Sequence, residues 1–135
     1  MRHRRTQPTC LLIIPAPGVR LLIAEIMRHS GFLVRTADTG ASALACLREP
    51  PRPGLILLDM VLPDMSARAF VETLAGRSAF SSIPCAVIAE TAAIPAPWAQ
   101  HLLVKPISID ALFRIARECC GDGVRPPGRR SRKKK

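Results

Sequence analysis

Asp59 and Lys105 each stand directly after an apolar run of strand length, Leu55-Ile-Leu-Leu58 before the acid and Leu102-Leu-Val104 before the base. In an open parallel α/β sheet, ligands bind beyond the carboxyl ends of the strands. An acid and a base at such ends form a polar constellation on an otherwise apolar frame, able to meet a charged ligand or each other. The matching ends of two further apolar runs are Pro15-Ala16 and Ala89, none of which carries a side-chain oxygen. Thiol or metal chemistry has less to work with. The five cysteines (Cys10, Cys46, Cys85, Cys119, Cys120) form no CxxC pair, and the histidines are only His3, His29 and His101. Three of the cysteines lie in apolar runs, where a free thiol behaves as a small hydrophobe, so reduced core thiols are the expectation.

The elements that must position Asp59 and Lys105 follow from alternating periodicities. Cys10-Leu-Leu-Ile-Ile14 is an uninterrupted apolar run, as expected of a strand buried on both faces. Val19, Leu22, Ile23 and Ile26 follow at helical spacing, and Gly31 stops that helix just past its end. Phe32–Thr36 is a second short strand, and a helix over 40–48 turns Leu44 and Leu47 inward. Pro50, Pro51 and Pro53 force a break before the third strand. Ala67, Phe70, Val71 and Leu74 mark a third helix, Cys85–Ala89 a fourth strand and Leu102–Val104 a short fifth. Leu112, Ile115, Ala116 and Cys119 give the final helical stripe, with Ser108 as its N-cap and Asp110 in the dipole-favoured first turn. This βα alternation predicts an α/β domain with a parallel sheet and helices around it. One helix is missing from the repeat: Pro95 and Pro97 sit in the middle of the connection from Glu90 to Gln100, which leaves room for one turn at most. Trp98 is expected to pack under that shortened connection.

The string Leu-Ile-Leu-Leu-Asp-Met-Val-Leu-Pro-Asp-Met over 55–65, the helix entry Asp38-Thr-Gly-Ala-Ser-Ala-Leu44, and Lys105-Pro106 after the last strand occur in this order. Together they resemble the receiver domain of two-component response regulators over residues 10–120. The resemblance implies a flavodoxin-like, doubly wound, five-stranded parallel sheet of order 2-1-3-4-5, here with its fourth helix shortened or missing. It also implies that the output and dimerisation face, which uses that helix in the family, is rebuilt. By position Asp59 matches the phosphoacceptor and Lys105 the phosphate-contacting lysine. The rest of the family's site is degenerate. Pro15 and Ala16 stand where an acidic pair holds Mg²⁺, Ala89 where a hydroxyl residue ends the fourth strand, and Leu102 where the aromatic switch residue stands. Ser66-Ala67 replaces the Asp-Gly after the proline loop. Mg²⁺ is a hard cation that wants carboxylate help, so its binding is expected to be lost or weak, with no cofactor and no catalysis. With the acidic cluster gone, Lys105 is expected to pair directly with Asp59; Glu90 reads as a solvated loop residue and Asp64 as a turn residue. The implied partner is a histidine kinase or an output protein. A working phosphoacceptor with atypical metal use is the alternative.

Length and charge complete the reading. The chain has 135 residues, room for one ordinary domain, and its 48% hydrophobic content excludes a disordered chain. No apolar stretch approaches the ~18–20 residues of a membrane span, and the run after the basic start falls short of a secretory core of ~7–15 residues, which implies a cytoplasmic protein. The net charge is +10 and belongs to the ends. Residues 1–9, read as a basic extension, hold Arg2, Arg4 and Arg5; residues 121–135, read as a disordered tail, hold Arg125, Arg129, Arg130, Arg132, Lys133, Lys134 and Lys135 against Asp122. Ten bases and nine acids lie between, so the body is nearly neutral. The tail reads as solubilising, as a phosphate-contacting nucleic-acid binder, or as a ligand for an acidic surface. No aromatic residue is interleaved for base stacking.

Overall fold

The computed structural model describes residues 7–92 and 98–125 of the chain. In chain order the elements are β1 (Thr9–Ile13), α1 (Pro17–His29), β2 (Leu33–Ala37), α2 (Gly40–Leu47), β3 (Leu55–Asp59), α3 (Ala67–Ala75), β4 (Cys85–Ala89), β5 (His101–Val104) and α4 (Ile109–Cys120), then a 3-10 turn over Gly121–Gly123. All strand pairs are parallel and the sheet order is β2-β1-β3-β4-β5, the doubly wound flavodoxin-like arrangement.

The apolar runs become central strands because both of their faces are covered. Cys10, Leu12, Ile14, Leu55 and Leu57 pack against Ile23, Met27, Leu112 and Ile115 of α1 and α4. The alternate residues Leu11, Ile13, Ile56 and Leu58 pack against Ala43, Leu47, Phe70 and Leu74 of α2 and α3. A strand whose successive side chains enter opposite cores has no position left for a polar residue. Cys10 and Cys85 are among these buried residues, and burial pushes the Cys85 thiol up to about 12. All five thiols are free.

Helix ends follow local chemistry. Ser108 caps α4 by accepting from the Ala111 amide at 2.9 Å, as expected, with Asp110 in the first turn. Thr39 and Ser42 cap α2 reciprocally, and Gly31 follows α1 with φ +99°, a conformation that side chains resist. Among the described residues no helix lies between β4 and β5; Trp98 packs there against the core on the α2–α3 side. Pro95 and Pro97 lie outside the described residues. No described helix is long and apolar enough to cross a membrane.

Three expectations need correction. The stripe chosen for α1 is rotated: Ile23, Ala24 and Met27 are buried, whereas Val19 and Leu22 are 40% and 61% exposed. Leu21 and Leu22 give the helix more apolar residues than its buried face can take, and spacing alone does not choose among them. Second, the ordered body exceeds residues 10–120 at both ends. Thr9 already pairs with Leu33, and Val124 lies in the core beside α1. Third, order continues through residues 121–125, since the Arg125 amide donates to the Ser30 carbonyl at 2.8 Å. A lone valine among glycines and prolines gives no periodic signal. Gly31 and Pro8, which approach the neighbouring Gly123, are distant in sequence. Residues 1–6 and 126–135 lie outside the described residues.

Candidate functional site

The carboxyl ends of β1, β3, β4 and β5 surround a cleft of about 340 Å³. Sheet register builds it: Asp59 pairs with Ile88, and Ala89 with Val104, so Asp59, Ala89 and Lys105 emerge at neighbouring strand ends. The Met60 amide donates to the Ile88 carbonyl at 2.8 Å and the Lys105 amide to the Ala89 carbonyl at 2.9 Å, carrying the ladder one residue beyond each strand. Pro15 and Ala16, after β1, line the same cleft. The structure therefore brings five of the six sequence-derived site residues together. Leu102 is the exception: it is half-buried and packs on the core beside α2 and α3.

The polar contacts differ from the expected ones. Lys105 Nζ is 3.2 Å from Glu90 Oε2, the residue directly after β4. Asp59 instead accepts from the Val61 amide at 3.1 Å through Oδ1 and, among the described residues, has no cation within ion-pairing distance. The direct Asp59–Lys105 pair is thus corrected to Glu90–Lys105. Loop geometry decides between them: Glu90 starts the connection beside Lys105, while the Asp59 carboxylate turns back over its own chain. Both partners of the ion pair are substantially exposed, Lys105 at 36% and Glu90 at 80% of their side chains, so the pairing is a surface one.

Arg20 is a charged residue near the site that the sequence reading did not single out. From the first turns of α1 its Nη1 donates to the carbonyl of Ile14 at 2.7 Å and of Pro15 at 3.2 Å. It fixes a guanidinium at the end of β1. The signal was a base one turn into the helix after a strand end that lacks acids. Asp64, by contrast, faces α2: its two carboxylate oxygens accept from the Gly40 and Ala41 amides, both at 2.9 Å. The Gly40 amide, followed by that of Ala41, holds the Asp64 carboxyl below its ordinary value of 3.8. It is a loop residue, as expected, and caps a neighbouring helix. Among the described residues no group of three or more His, Cys, Asp or Glu side chains could hold a metal ion.

No family model matches the chain. It is 30% identical over 115 residues to the two-component response regulator ORR11 of rice (Oryza sativa subsp. indica), a match covering 80% of this chain and 78% of that protein. The chain belongs to the response regulator family, as a receiver domain. The receiver domain is also 36% identical over 67 residues to the probable transcriptional regulatory protein TcrX of Mycobacterium tuberculosis, which covers 49% of this chain. It spans only 28% of the length of that relative. In fold it is similar to the chemotaxis response regulator CheY4 of Vibrio cholerae, with a TM-score of 0.77 at 22% identity, covering 84% of this chain and 99% of that one.

Proposed function

We propose that this receiver domain is degenerate: a cytoplasmic signalling module, not an enzyme, that acts by contacts with a histidine kinase or an output protein and without accepting a phosphoryl group. The observation that carries the reading is Arg20, bound to the Ile14 and Pro15 carbonyls at the strand end where the resemblance calls for an acidic pair. Phosphoryl transfer depends on positioning and on neutralising charge at the phosphoryl oxygens. Mg²⁺ needs a near-octahedral shell of oxygens. Two carboxylates line the cleft, and both are engaged: Asp59 with the Val61 amide and Glu90 with Lys105. The Arg20 guanidinium held at the end of β1 adds positive charge at that strand end, which disfavours a divalent cation there. These residues do not fit the metal. Ala89 has no hydroxyl to hold a phosphoryl oxygen, and the Leu102 position has no aromatic ring to turn. The output face is rebuilt as well, since the described part of the β4–β5 connection holds Trp98 and no helix.

The test adds Mg²⁺ with acetyl phosphate or beryllofluoride and follows intact mass and Trp98 fluorescence. Unchanged mass and fluorescence, with no metal binding below millimolar concentration, is the expected result. Stoichiometric phosphorylation at Asp59 would overturn the reading and install the alternative, a working phosphoacceptor with atypical metal use.

A further inference from the structure

The end of α4 and the start of β5 bring together three side chains that the cleft does not use. His101 opens β5, where it pairs with Ala86 of β4. Its two ring nitrogens meet consecutive residues of α4: Nε2 is 3.8 Å from Cys119 Sγ, and Nδ1 is 3.8 Å from Glu118 Oε1. Successive residues of a helix diverge by about 100°, so one ring beside them can face both. Cys119 is half-buried, the His101 side chain is 25% exposed and that of Glu118 58% exposed, so solvent reaches the cluster from its carboxylate side.

The other thiols are placed differently. Cys120, next along the chain, faces Gly54 before β3, where a methyl would lie 3.2 Å from its Sγ. Cys85 Sγ lies 3.8 Å from the Ile83 carbonyl oxygen, and Cys10 is fully buried. Cys46 packs with α2 on the opposite side of the sheet. Among the described residues, Cys119 is therefore the thiol that meets an imidazole nitrogen.

We propose that Cys119 and His101 are the two protein ligands of a soft monovalent cation, copper(I), with Glu118 holding the imidazole in place. The spacing of the donors suits a shared metal. At the bond lengths of zinc, about 2.3 Å to a thiolate and about 2.0–2.1 Å to an imidazole, sulfur and nitrogen stand about 3.6 Å apart at a tetrahedral angle and about 4.3 Å apart when linear. The 3.8 Å between Cys119 and His101 falls between these limits. A carboxylate on the second ring nitrogen is the usual outer partner of a metal-bound histidine; it keeps the proton on Nδ1 and leaves Nε2 to bind. Zinc takes three or four protein ligands, and no third His, Cys, Asp or Glu joins these two donors among the described residues. Soft thiolate favours copper(I) over hard cations. Burial, then the neighbouring Cys120 and Glu118, push the Cys119 thiol up to about 11, so it keeps its proton until a metal displaces it. On binding, the S–H bond breaks, its proton leaves to solvent, and metal–sulfur and metal–nitrogen bonds form with no change of oxidation state. The bound ion ties the end of α4 to the start of β5. This site is independent of Asp59 and of the cleft, which lies at the opposite ends of the strands.

The experiment titrates the full chain with copper(I), kept reduced by ascorbate, against bicinchoninate, whose colour reports the copper it retains. The chain should withdraw one equivalent, and the His101 ring resonances should shift in NMR spectra as it does. Cys119→Ser and His101→Gln should each weaken binding about tenfold or more, and Glu118→Gln about tenfold, as loss of an outer partner does. Cys46→Ser should leave binding unchanged. Circular dichroism checks that each variant is folded, and the ring resonances answer the question in the unsubstituted chain where a variant is not. No copper withdrawn, full affinity in Cys119→Ser, or His101 resonances that stay in place on loading would each refute the site. Equal affinity for zinc(II), with the same resonances shifted, would refute copper(I) as the ligand.

Discussion

Lys105 Nζ lies 3.2 Å from Glu90 Oε2, so the lysine matched to the family's phosphate contact is neutralised by a loop carboxylate and not by Asp59. With both partners substantially exposed, the pair is worth about 0–1 kcal/mol. Glu90→Ala should therefore change stability by less than about 1 kcal/mol. Asp59→Ala should cost little more than its bond to the Val61 amide, about 1 kcal/mol, since Lys105 keeps its partner. Urea unfolding of both variants measures this. A markedly larger loss in Asp59→Ala than in Glu90→Ala would show that Asp59 carries the lysine after all.

The missing acids can be put back. Replacing Pro15 and Ala16 by Asp, together with Arg20→Ser, supplies carboxylates and removes the fixed cation at the same strand end. This variant should bind Mg²⁺ measurably by calorimetry where the parent chain does not. Failure to bind in a folded variant would place the obstacle elsewhere in the cleft.

Asp64 makes stability depend on pH on the acid side. Its folded value is lowered below 3.8 by the Gly40 and Ala41 amides, so the unfolded chain takes up its proton first as pH falls. The stabilisation is complete above the unfolded value and is lost as pH drops through the folded one. Asp64→Asn should lower the urea midpoint at pH 7, and it should flatten the decline below about pH 4. A variant whose acid decline matches that of the parent would contradict this.

Gly31→Ala should cost about 1–3 kcal/mol, because the left-handed backbone resists a side chain and the methyl would press on backbone. The conformation is φ +99° and the close neighbour is the Gly123 carbonyl oxygen at 3.0 Å. Thermal unfolding with and without residues 121–125 separates the two causes: truncation should relieve only the contact.

Legibility tracked how locally each feature is determined. Cys10–Ile14 and Leu55–Leu58 announced buried central strands because both of their faces are apolar, and strand ends then located Asp59, Ala89 and Lys105. Ser108 could be read as a cap because capping is settled within one turn. The buried face of α1 could not be chosen, because Leu21 and Leu22 compete with Ile23 and Met27 and only tertiary packing decides. Lys105's partner and the burial of Val124 also escaped, since each depends on loops that meet across the fold. Arg20 escaped because a charge on the first turn of a helix ordinarily points to water.

The double bond from Asp64 to α2 has a mechanical consequence. The loop after β3, which runs from Asp59 past the cleft to Asp64, ends clamped on the first two amides of the next helix over. The rim of the cleft and the start of α2 are therefore tied by two hydrogen bonds. A partner that prises this loop away must break both bonds in the same event; it leaves the Thr39–Ser42 cap in place and exposes the Gly40 and Ala41 amides to solvent exchange. Pressure at the cleft is thereby delivered to the helix beside the far edge of the sheet, with no moving part between them.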